Sequence, residues 1–422
     1  MTITLIRGGR LIDGKSDAEI APGYVVFEGD RITAVGPLSE LDTKLERRAD
    51  RVIDGSGLTV LPGLVNAHEH LDDRRSFGAF QERVTRPAAM LLLGAARATL
   101  VSLTEGITTV RDCGGMANNP LYLKHAVELG VLVGPRIKTC ISPICQSGGY
   151  GIPMTTPADG ADQVRQRTRE LLWRGADFIK CMASMGAAGA RPGGPTGVQM
   201  SVAEMSAAFE EAHRSGKRTT VHAHPPEAIR QAIEAGVDAV EHALLIDDET
   251  ANLMARSGTY LVSTLSEVLV TAEEGRAYRR PPLQVERTGK LLETALVNVR
   301  RAVRAGVKIA MGLDVLGDPV RELQLMVRVG MTPMQSLQAA TRVGAEVLDM
   351  ADSIGTLEVR KLADITLVEG NPLDDLAAVG RVKLVILGGR IIDGLALQSA
   401  IGNQLPGYLV DHGRVLAADE YR

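Results

Sequence analysis

The feature that most constrains the fold is a repeat that runs from about residue 88 to residue 314. In each unit a helix-like segment ends in glycine, and a short run rich in β-branched residues follows. Glycine suits the left-handed conformation at a helix C-terminus, and apolar runs suit strands buried on both faces. The seven runs are EGITTV, GPRIKTCI, RGADFIKCM, SGKRTTVHAH, AGVDAVEH, SGTYLVST and AGVKIAMGLD. The repeat therefore predicts parallel strands that alternate with helices.

An eighth strand completes the count of a closed barrel. The segment GLTVLPGLVNAH at 57–68 is the predicted first strand, and helices are predicted at 90–105, 161–174, 201–215 and 287–305. Eight such units predict a (β/α)8 TIM barrel, an α/β fold whose active site lies at the C-terminal strand ends. A doubly wound open sheet is the alternative, but the chain lacks the G-x-G-x-x-G that such sheets place after a first strand.

The two ends of the chain contain nearly the same sequence. Residues 5–14 read LIRGGRLIDG and residues 385–394 read VILGGRIIDG, and each predicts a strand–turn–strand with a Gly-Gly turn. Because an isolated hairpin is marginal in water, we expect both ends to share one small β-sandwich beside the barrel. The predicted domains are the barrel at 62–352 and a sandwich made from 1–61 and 353–422, the latter including a C-terminal tail.

Composition and charge exclude several classes of protein. A net charge of −4 gives no sign of the basic surface that binds nucleic acid. No stretch has the roughly eighteen consecutive apolar residues that a membrane span needs, and the start MTITLIRGGR lacks a signal-peptide pattern. We therefore expect a cytoplasmic protein that binds neither nucleic acid nor a membrane. The cysteines, which have no C-x-x-C spacing, are expected to be reduced and mostly buried: Cys113, Cys140, Cys145 and Cys181.

Five of the eight histidines fall at the predicted C-terminal ends of strands. They are His68 and His70 on the first strand, His222 and His224 on the fifth, and His242 on the sixth. Asp314 ends the eighth strand. Residues two apart in a strand point to the same face, so each H-x-H pair enters the barrel mouth together. A single H-x-H is a weak signal, because two surface histidines at a strand end give the same pattern. Because all six residues are predicted at the same end of one barrel, they offer nitrogen and oxygen ligands for zinc or a similar divalent ion.

Lys180 lies in the middle of an otherwise apolar run, GADFIKCMAS at 175–184. An unpaired buried charge is costly, and a buried lysine tends to lose its proton. A neutral amine there would add to carbon dioxide and give a carbamate, which is a carboxylate on a long arm. The alternative is a side chain whose stem is buried and whose ammonium reaches solvent. Beside four or five histidines, we favour the bridging ligand of a two-metal centre.

The motifs PGLVNAHEH, FIK, VHAH, VEHA and GLD, with VEGNPLDD near the end, resemble the metal-dependent amidohydrolase superfamily. The set is similar to its imidazolonepropionase-like and Xaa-Pro dipeptidase-like branch, which includes ochratoxin-hydrolysing amidases, and the likeness covers residues 3 to about 395. Of the two VHAH histidines the resemblance favours His222 as a ligand, and His224 would contact substrate or a ligand. The implied ligands are His68, His70 and Asp314 on one ion, His222 and His242 on the second, and carbamylated Lys180 between them.

The resemblance implies a hydrolase with two divalent ions, zinc being the expected metal, that cleaves an amide bond of a dipeptide or an N-acyl amino acid. Ions about 3.5–4 Å apart share one hydroxide, which attacks the carbonyl. Asp314 would act as general base and then general acid, and His224 or Tyr150 would hydrogen-bond the oxyanion. Relatives often form homo-oligomers, so we expect a homo-oligomer acting on a small-molecule amide.

Departures from the family pattern leave the substrate open, because βα loops set specificity on a fixed barrel. They include Tyr150 in SGGYG and Leu313 before the aspartate. One alternative is a hydrolase of a cyclic amide, carbamate or ester, such as a xenobiotic or ochratoxin-type substrate, or a mononuclear deaminase. Another is a catalytically silent scaffold. Arg191 in a Gly/Pro-rich loop and the pair Arg279 and Arg280 are either contacts for a substrate carboxylate or simply solvated arginines.

Overall fold

The computed structural model of the protein describes residues 2–75, 85–186 and 197–392. Arg191 and the predicted tail at 399–422 therefore lie outside the described residues. The strands are β1 Ile3–Leu11, β2 Ile20–Glu28, β3 Arg31–Pro37, β4 Arg51–Asp54, β5 Leu58–Pro62, β6 Leu64–Glu69, β7 Ile107–Asp112, β8 Arg136–Thr139, β9 Ile144–Cys145, β10 Thr156–Pro157, β11 Phe178–Met182, β12 Arg218–Ala223, β13 Ala239–His242, β14 Tyr260–Ser263, β15 Ile309–Met311, β16 Ile365–Glu369, β17 Val382–Leu387 and β18 Arg390–Ile392.

One short helix precedes the barrel strands, and the other described helices lie between those strands or after them. They are α1 Thr43–Arg48, α2 Ala88–Thr104, α3 Asn119–Glu128, α4 Gly160–Trp173, α5 Val202–Arg214, α6 Pro226–Glu234, α7 Asp248–Ser257, α8 Leu265–Glu274, α9 Pro282–Ala305, α10 Pro319–Arg328, α11 Pro333–Gln338 and α12 Gly344–Val347, with one π-helical turn at Ala339–Val343. The four predicted helices are confirmed as α2, α4, α5 and α9. The glycine rule also holds, since Gly258 and Gly306 follow α7 and α9 with φ of 73° and 80°.

The parallel strands form a TIM-barrel-like α/β fold. β6, β7 and β8 pair in parallel, and so do β9 and β11 through β15. Two sets of hydrogen bonds join these groups. The N–H groups of Leu313 and Asp314 donate to the His68 carbonyl at 3.0 and 2.9 Å, and the N–H of Asp177 donates to the Thr139 carbonyl at 2.8 Å. The C-terminal ends of the first and last strands therefore lie side by side.

The predicted first strand at 57–68 is two strands that belong to different sheets. β5 pairs with β1 and β16, whereas β6 pairs with β7 in the barrel. Gly63 lies between them, and a Cβ there would be 2.2 Å from the hydroxyl oxygen of Thr108. The absence of a side chain allows the chain to cross close to β7 as it leaves one sheet for the other.

Both ends of the chain form one mixed sheet, ordered β18-β17-β16-β5-β1-β2-β3 with β4 beside β1. The predicted turn at Gly388 and Gly389 is confirmed, since both have positive φ and connect β17 to β18. The predicted turn at Gly8 and Gly9 is wrong, because β1 runs through both residues. Only Gly8 has positive φ, and the register with β2 shifts there. This is a bulge at which β1 exchanges β4 for β5 as its neighbour.

The structure also bears on the predictions about the cysteines and about membrane-spanning helices. Cys113, Cys140, Cys145 and Cys181 are all buried and none forms a disulfide, as predicted. Within the described ranges, no helix combines the length and the apolar character that crossing a membrane would require.

Candidate metal centre

The C-terminal ends of the barrel strands bring the predicted histidines into one buried cluster. Ring centroids of neighbouring imidazoles lie 4.6 to 5.3 Å apart. All five residues are at most 7% exposed. The cluster contains His68 and His70 from the end of β6, His222 and His224 from the end of β12, and His242 from the end of β13. Five histidines predicted at the ends of strands therefore lie together in the structure.

Asp314 lies at the centre of the cluster, three residues after β15 and in a left-handed conformation with φ of 55°. One carboxylate oxygen is 3.8 Å from Nε2 of His68 and 3.9 Å from Nε2 of His70. The other oxygen is 3.9 Å from Nδ1 of His242. These separations are too long for hydrogen bonds. Ligand atoms of His68, His242 and Asp314 lie within 4.8 Å of one another, so the cluster brings together the donor atoms that metal binding needs.

Lys180 is in the middle of β11 and is 1% exposed, so its side chain does not reach solvent. Its Cα is paired with that of Thr220 on β12. After burial, which is the largest cause, the positive charge of Lys180 helps to lower the pKa of His68. The same charge helps to lower the pKa of His222 and of His242. The amine of Lys180 is therefore close enough to the histidine cluster to help lower the pKa of three of its imidazoles.

The hydrogen bonds of the ring nitrogens show which nitrogens are available to bind a metal ion. Nδ1 of His68 donates to a carboxylate oxygen of Glu241 at 2.6 Å, and Nδ1 of His70 donates to the Gly114 carbonyl at 2.5 Å. Since both partners only accept, each Nε2 carries a lone pair that faces the cluster. Nε2 of His68, Nε2 of His222 and Nδ1 of His224 are buried and make no hydrogen bond with any residue in the described ranges. Such atoms are costly without a partner, and a divalent ion fits them.

Burial also keeps the imidazoles neutral. It lowers the pKa of His224 to about 3 and lowers the pKa of His68, His222 and His242 well below the usual 6.5. Burial raises the pKa of Asp314 to about 6, and the charge of Lys180 opposes that rise. Neutral imidazole and ionised carboxylate are the forms that bind metal. At neutral pH the cluster is therefore ready to bind a cation.

Glu241 is a residue of the centre that the sequence argument missed. It is fully buried on β13, and besides His68 its carboxylate accepts from Arg111 and from the hydroxyl of Thr220. Nε of Arg111 in turn donates 2.6 Å to the carbonyl of Ala67, beside His68. The available signal was an acid inside the apolar run DAVEHA. Strict strand alternation sends Glu241 and His242 to opposite faces, but the φ of 69° at His242 breaks it.

Three other residues border the cluster. The ring of Tyr150 lies 4.7 Å from that of His222, tilted by 33°. Thr264, also missed from the sequence, places its hydroxyl oxygen 2.7 Å from Nδ1 of His242. Arg280 is 6% exposed, so its interpretation as a solvated arginine is wrong, and its charge opposes the rise in the Asp314 pKa. Arg279 is exposed.

Comparisons with known proteins show which family the chain resembles. A sequence model of the Amidohydrolase family matches residues 59–392. Ochratoxinase from Aspergillus niger is 30% identical over 93% of this chain and 87% of its own length. Imidazolonepropionase from Symbiobacterium thermophilum is 27% identical over 92% and 95%, respectively. The crystal structure of a Xaa-Pro dipeptidase with bound methionine is 30% identical, with a TM-score of 0.83 over 93% of this chain and 100% of that one.

Proposed function

Because the chain belongs to the amidohydrolase family of hydrolases, we propose that it is a two-metal enzyme that cleaves the amide bond of a dipeptide or an N-acyl amino acid. The observation that supports this most directly is the set of buried ring nitrogens without hydrogen bonds around Asp314 and Lys180. A catalytically silent scaffold would have no reason to keep such costly groups together. A mononuclear deaminase would not need Lys180 as a bridge.

In this proposal the ligands are divided between two ions, zinc being the expected metal. Carbamylated Lys180 would be a ligand of both ions, and His222 rather than His224 would be the ligand from β12. Bound divalent ions supply Lewis acidity, which polarises a carbonyl and makes water a stronger acid. The full set is His68, His70 and Asp314 on one ion, and His222 and His242 on the other.

The chain's own residues then move the protons and hold the substrate. Asp314 takes a proton from the attacking water on its carboxylate oxygen and delivers it to the leaving nitrogen. The water oxygen bonds to the carbonyl carbon and the carbon–nitrogen bond breaks. The products are a carboxylic acid and an amine, and the acid then releases its proton to become a carboxylate. Neutral His224 and Tyr150 border the cluster and would donate hydrogen bonds to the developing oxyanion. His224 is buried and Asp314 and Tyr150 are partly buried, so each interaction is stronger than it would be in bulk water.

The names of the relatives guide the choice of substrates to test. A Xaa-Pro dipeptidase and an ochratoxinase are each 30% identical to this chain. The imidazolonepropionase match favours a cyclic amide as the second candidate. Zinc-loaded protein should be assayed against Xaa-Pro dipeptides, N-acyl aromatic amino acids, cyclic amides and carbamates, with Asp314→Asn as the control. Turnover of a linear amide by the wild type alone is expected. Two zinc ions per chain without turnover of any amide would overturn the proposal.

The proposed architecture is a closed (β/α)8 barrel at 62–352 beside a β-sandwich made from 1–61 and 353–422. The shared sheet of both chain ends supports this division. We also propose a homo-oligomer, which light scattering coupled to gel filtration measures directly. A mass of 45.0 kDa in solution would contradict it.

A further inference from the structure

Glu322 on α10 is a fully buried carboxylate that lies outside the histidine cluster. It accepts three hydrogen bonds from the end of β14 and the start of α8. The hydroxyl of Ser263 donates at 2.5 Å, and the N–H groups of Ser266 and Leu265 donate at 2.6 and 3.2 Å. The first N–H groups of a helix have no partner within it, so Glu322 acts as the cap of α8 from a different helix.

The three bonds flank a residue that contacts the metal centre. Thr264 lies between Ser263 and Leu265, and it is the N-cap residue of α8. Threonine at that position normally caps the helix with its own hydroxyl. Here the Thr264 side chain makes no capping bond, and its hydroxyl oxygen lies 2.7 Å from Nδ1 of His242. Because Glu322 caps α8, the Thr264 hydroxyl is available to orient His242.

The same first turn of α8 also holds the loop that carries Asp314. The Leu316 N–H donates to Glu267 at 2.5 Å, and the Asp318 N–H donates to the Ser266 hydroxyl at 3.3 Å. This loop ends where α10 begins, and Glu322 is in the first turn of α10. The loop that carries Asp314 is therefore hydrogen-bonded to the first turn of α8, which Thr264 precedes. Glu322 on α10 accepts hydrogen bonds from the same turn.

We propose that Glu322 is a positioning residue of the metal centre. It replaces the Thr264 side chain as the cap of α8, so the Thr264 hydroxyl is left to fix the ring of His242. The inference rests on the proposed role of His242 and Asp314 as metal ligands. It assigns no contact between Glu322 and metal or substrate. Hydrogen-bond partners of this kind affect metal affinity through the ligand that they orient.

The test is a double-mutant cycle read out as zinc affinity, measured by equilibrium competition with a chromophoric chelator. The proteins are the wild type, Glu322→Ala, Thr264→Val and the double variant. We expect each single substitution to weaken zinc binding by about 10–100-fold. The double variant should bind zinc about as weakly as the weaker single variant, since both substitutions remove one contact with His242. Thr264→Ser keeps the hydroxyl and should retain wild-type affinity.

Glu346→Gln is the matched control, because Glu346 accepts hydrogen bonds from Tyr260 and Lys308 at the opposite end of β14 and β15. It should leave zinc affinity unchanged. If Glu322→Ala does not fold, Glu322→Met replaces it in the cycle, because methionine keeps the length of the side chain and has no oxygen to accept these hydrogen bonds. Unchanged affinity in a folded Glu322 variant, or losses that multiply in the double variant, would overturn the proposal. Failure of the wild type to bind zinc would instead overturn the proposed function.

Discussion

At the scale of residues, the centre depends on which nitrogen of each imidazole carries the proton. Glu241 accepts the Nδ1 proton of His68 and also pairs with Arg111. Glu241→Gln would break the ion pair and loosen the His68 ring, so we expect zinc affinity to fall by about 10–100-fold. Chelator competition measures this, with Glu346→Gln as the control. Equal affinity in a folded variant would show that Arg111 and Ala67 hold the strand end without Glu241.

A second residue-scale prediction concerns Lys180, whose 1% exposure is more informative than its position in the sequence. If carbon dioxide adds to its amine, protein treated with 13C-bicarbonate and zinc should show one carbamate resonance by 13C NMR. Lys180→Arg keeps a positive charge but forms no stable carbamate, so the resonance should be missing and zinc content should fall. A wild-type spectrum without the resonance, together with full zinc occupancy, would contradict the bridging role.

His222 and His224 are adjacent members of one motif, and their roles can be separated. We expect His222→Asn to lose zinc. His224→Asn and Tyr150→Phe should keep zinc and lower kcat by about 10²–10³, the usual effect of removing one oxyanion donor. Metal analysis and steady-state kinetics on the same preparations distinguish the two outcomes. Loss of zinc from His224→Asn alone would reverse the assignment.

At the scale of elements, two nearly identical sequences form different structures. LIRGGRLIDG forms a bulged strand, whereas the related C-terminal segment forms a hairpin at Gly388 and Gly389. Gly-Gly permits both conformations, and the partner strands decide between them. β1 has β2 on one side and β4 then β5 on the other, so it continues as one strand and forms no turn at Gly8 and Gly9. Local sequence does not contain that information, which explains why one of two identical predictions failed.

The hairpin gives a testable difference between two neighbouring glycines. Gly389 has φ of 74°, and a Cβ there would lie 1.8 Å from the carbonyl oxygen of Gly29. Gly388 also has positive φ, but a Cβ there would meet nothing within 4 Å. We expect Gly389→Ala to destabilise the terminal sheet by at least about 1–3 kcal/mol, and Gly388→Asn by less, because asparagine tolerates this conformation. Thermal melting followed by circular dichroism compares them, and equal melting temperatures would contradict the steric argument.

At the scale of the whole molecule, the periodicity of the sequence was enough to predict most strands and helices of the TIM-barrel-like fold. The alternation of strands and helices and the level of the histidines were predictable because strand ends in a parallel barrel meet at one face. The boundary at Gly63 was not, since the apolar run continues across it. Glu241 and Thr264 were also missed, because their roles depend on the left-handed turn at His242 and on a cap supplied by a distant helix.

Metal removal tests the cluster as part of the whole fold. The buried nitrogens of His68 and His222 make no hydrogen bond, so an ion that binds only the folded state should stabilise it. At free zinc about 100 times its Kd the gain is about 2.7 kcal/mol, which corresponds to a rise in Tm of a few degrees. Calorimetry should show Tm falling after chelation and recovering when zinc is returned. His222→Asn is the control, since its Tm should respond less. An unchanged Tm in wild-type protein shown to be free of metal would mean that the barrel tolerates these unpaired nitrogens unaided, and the strongest physical argument for the centre would be lost.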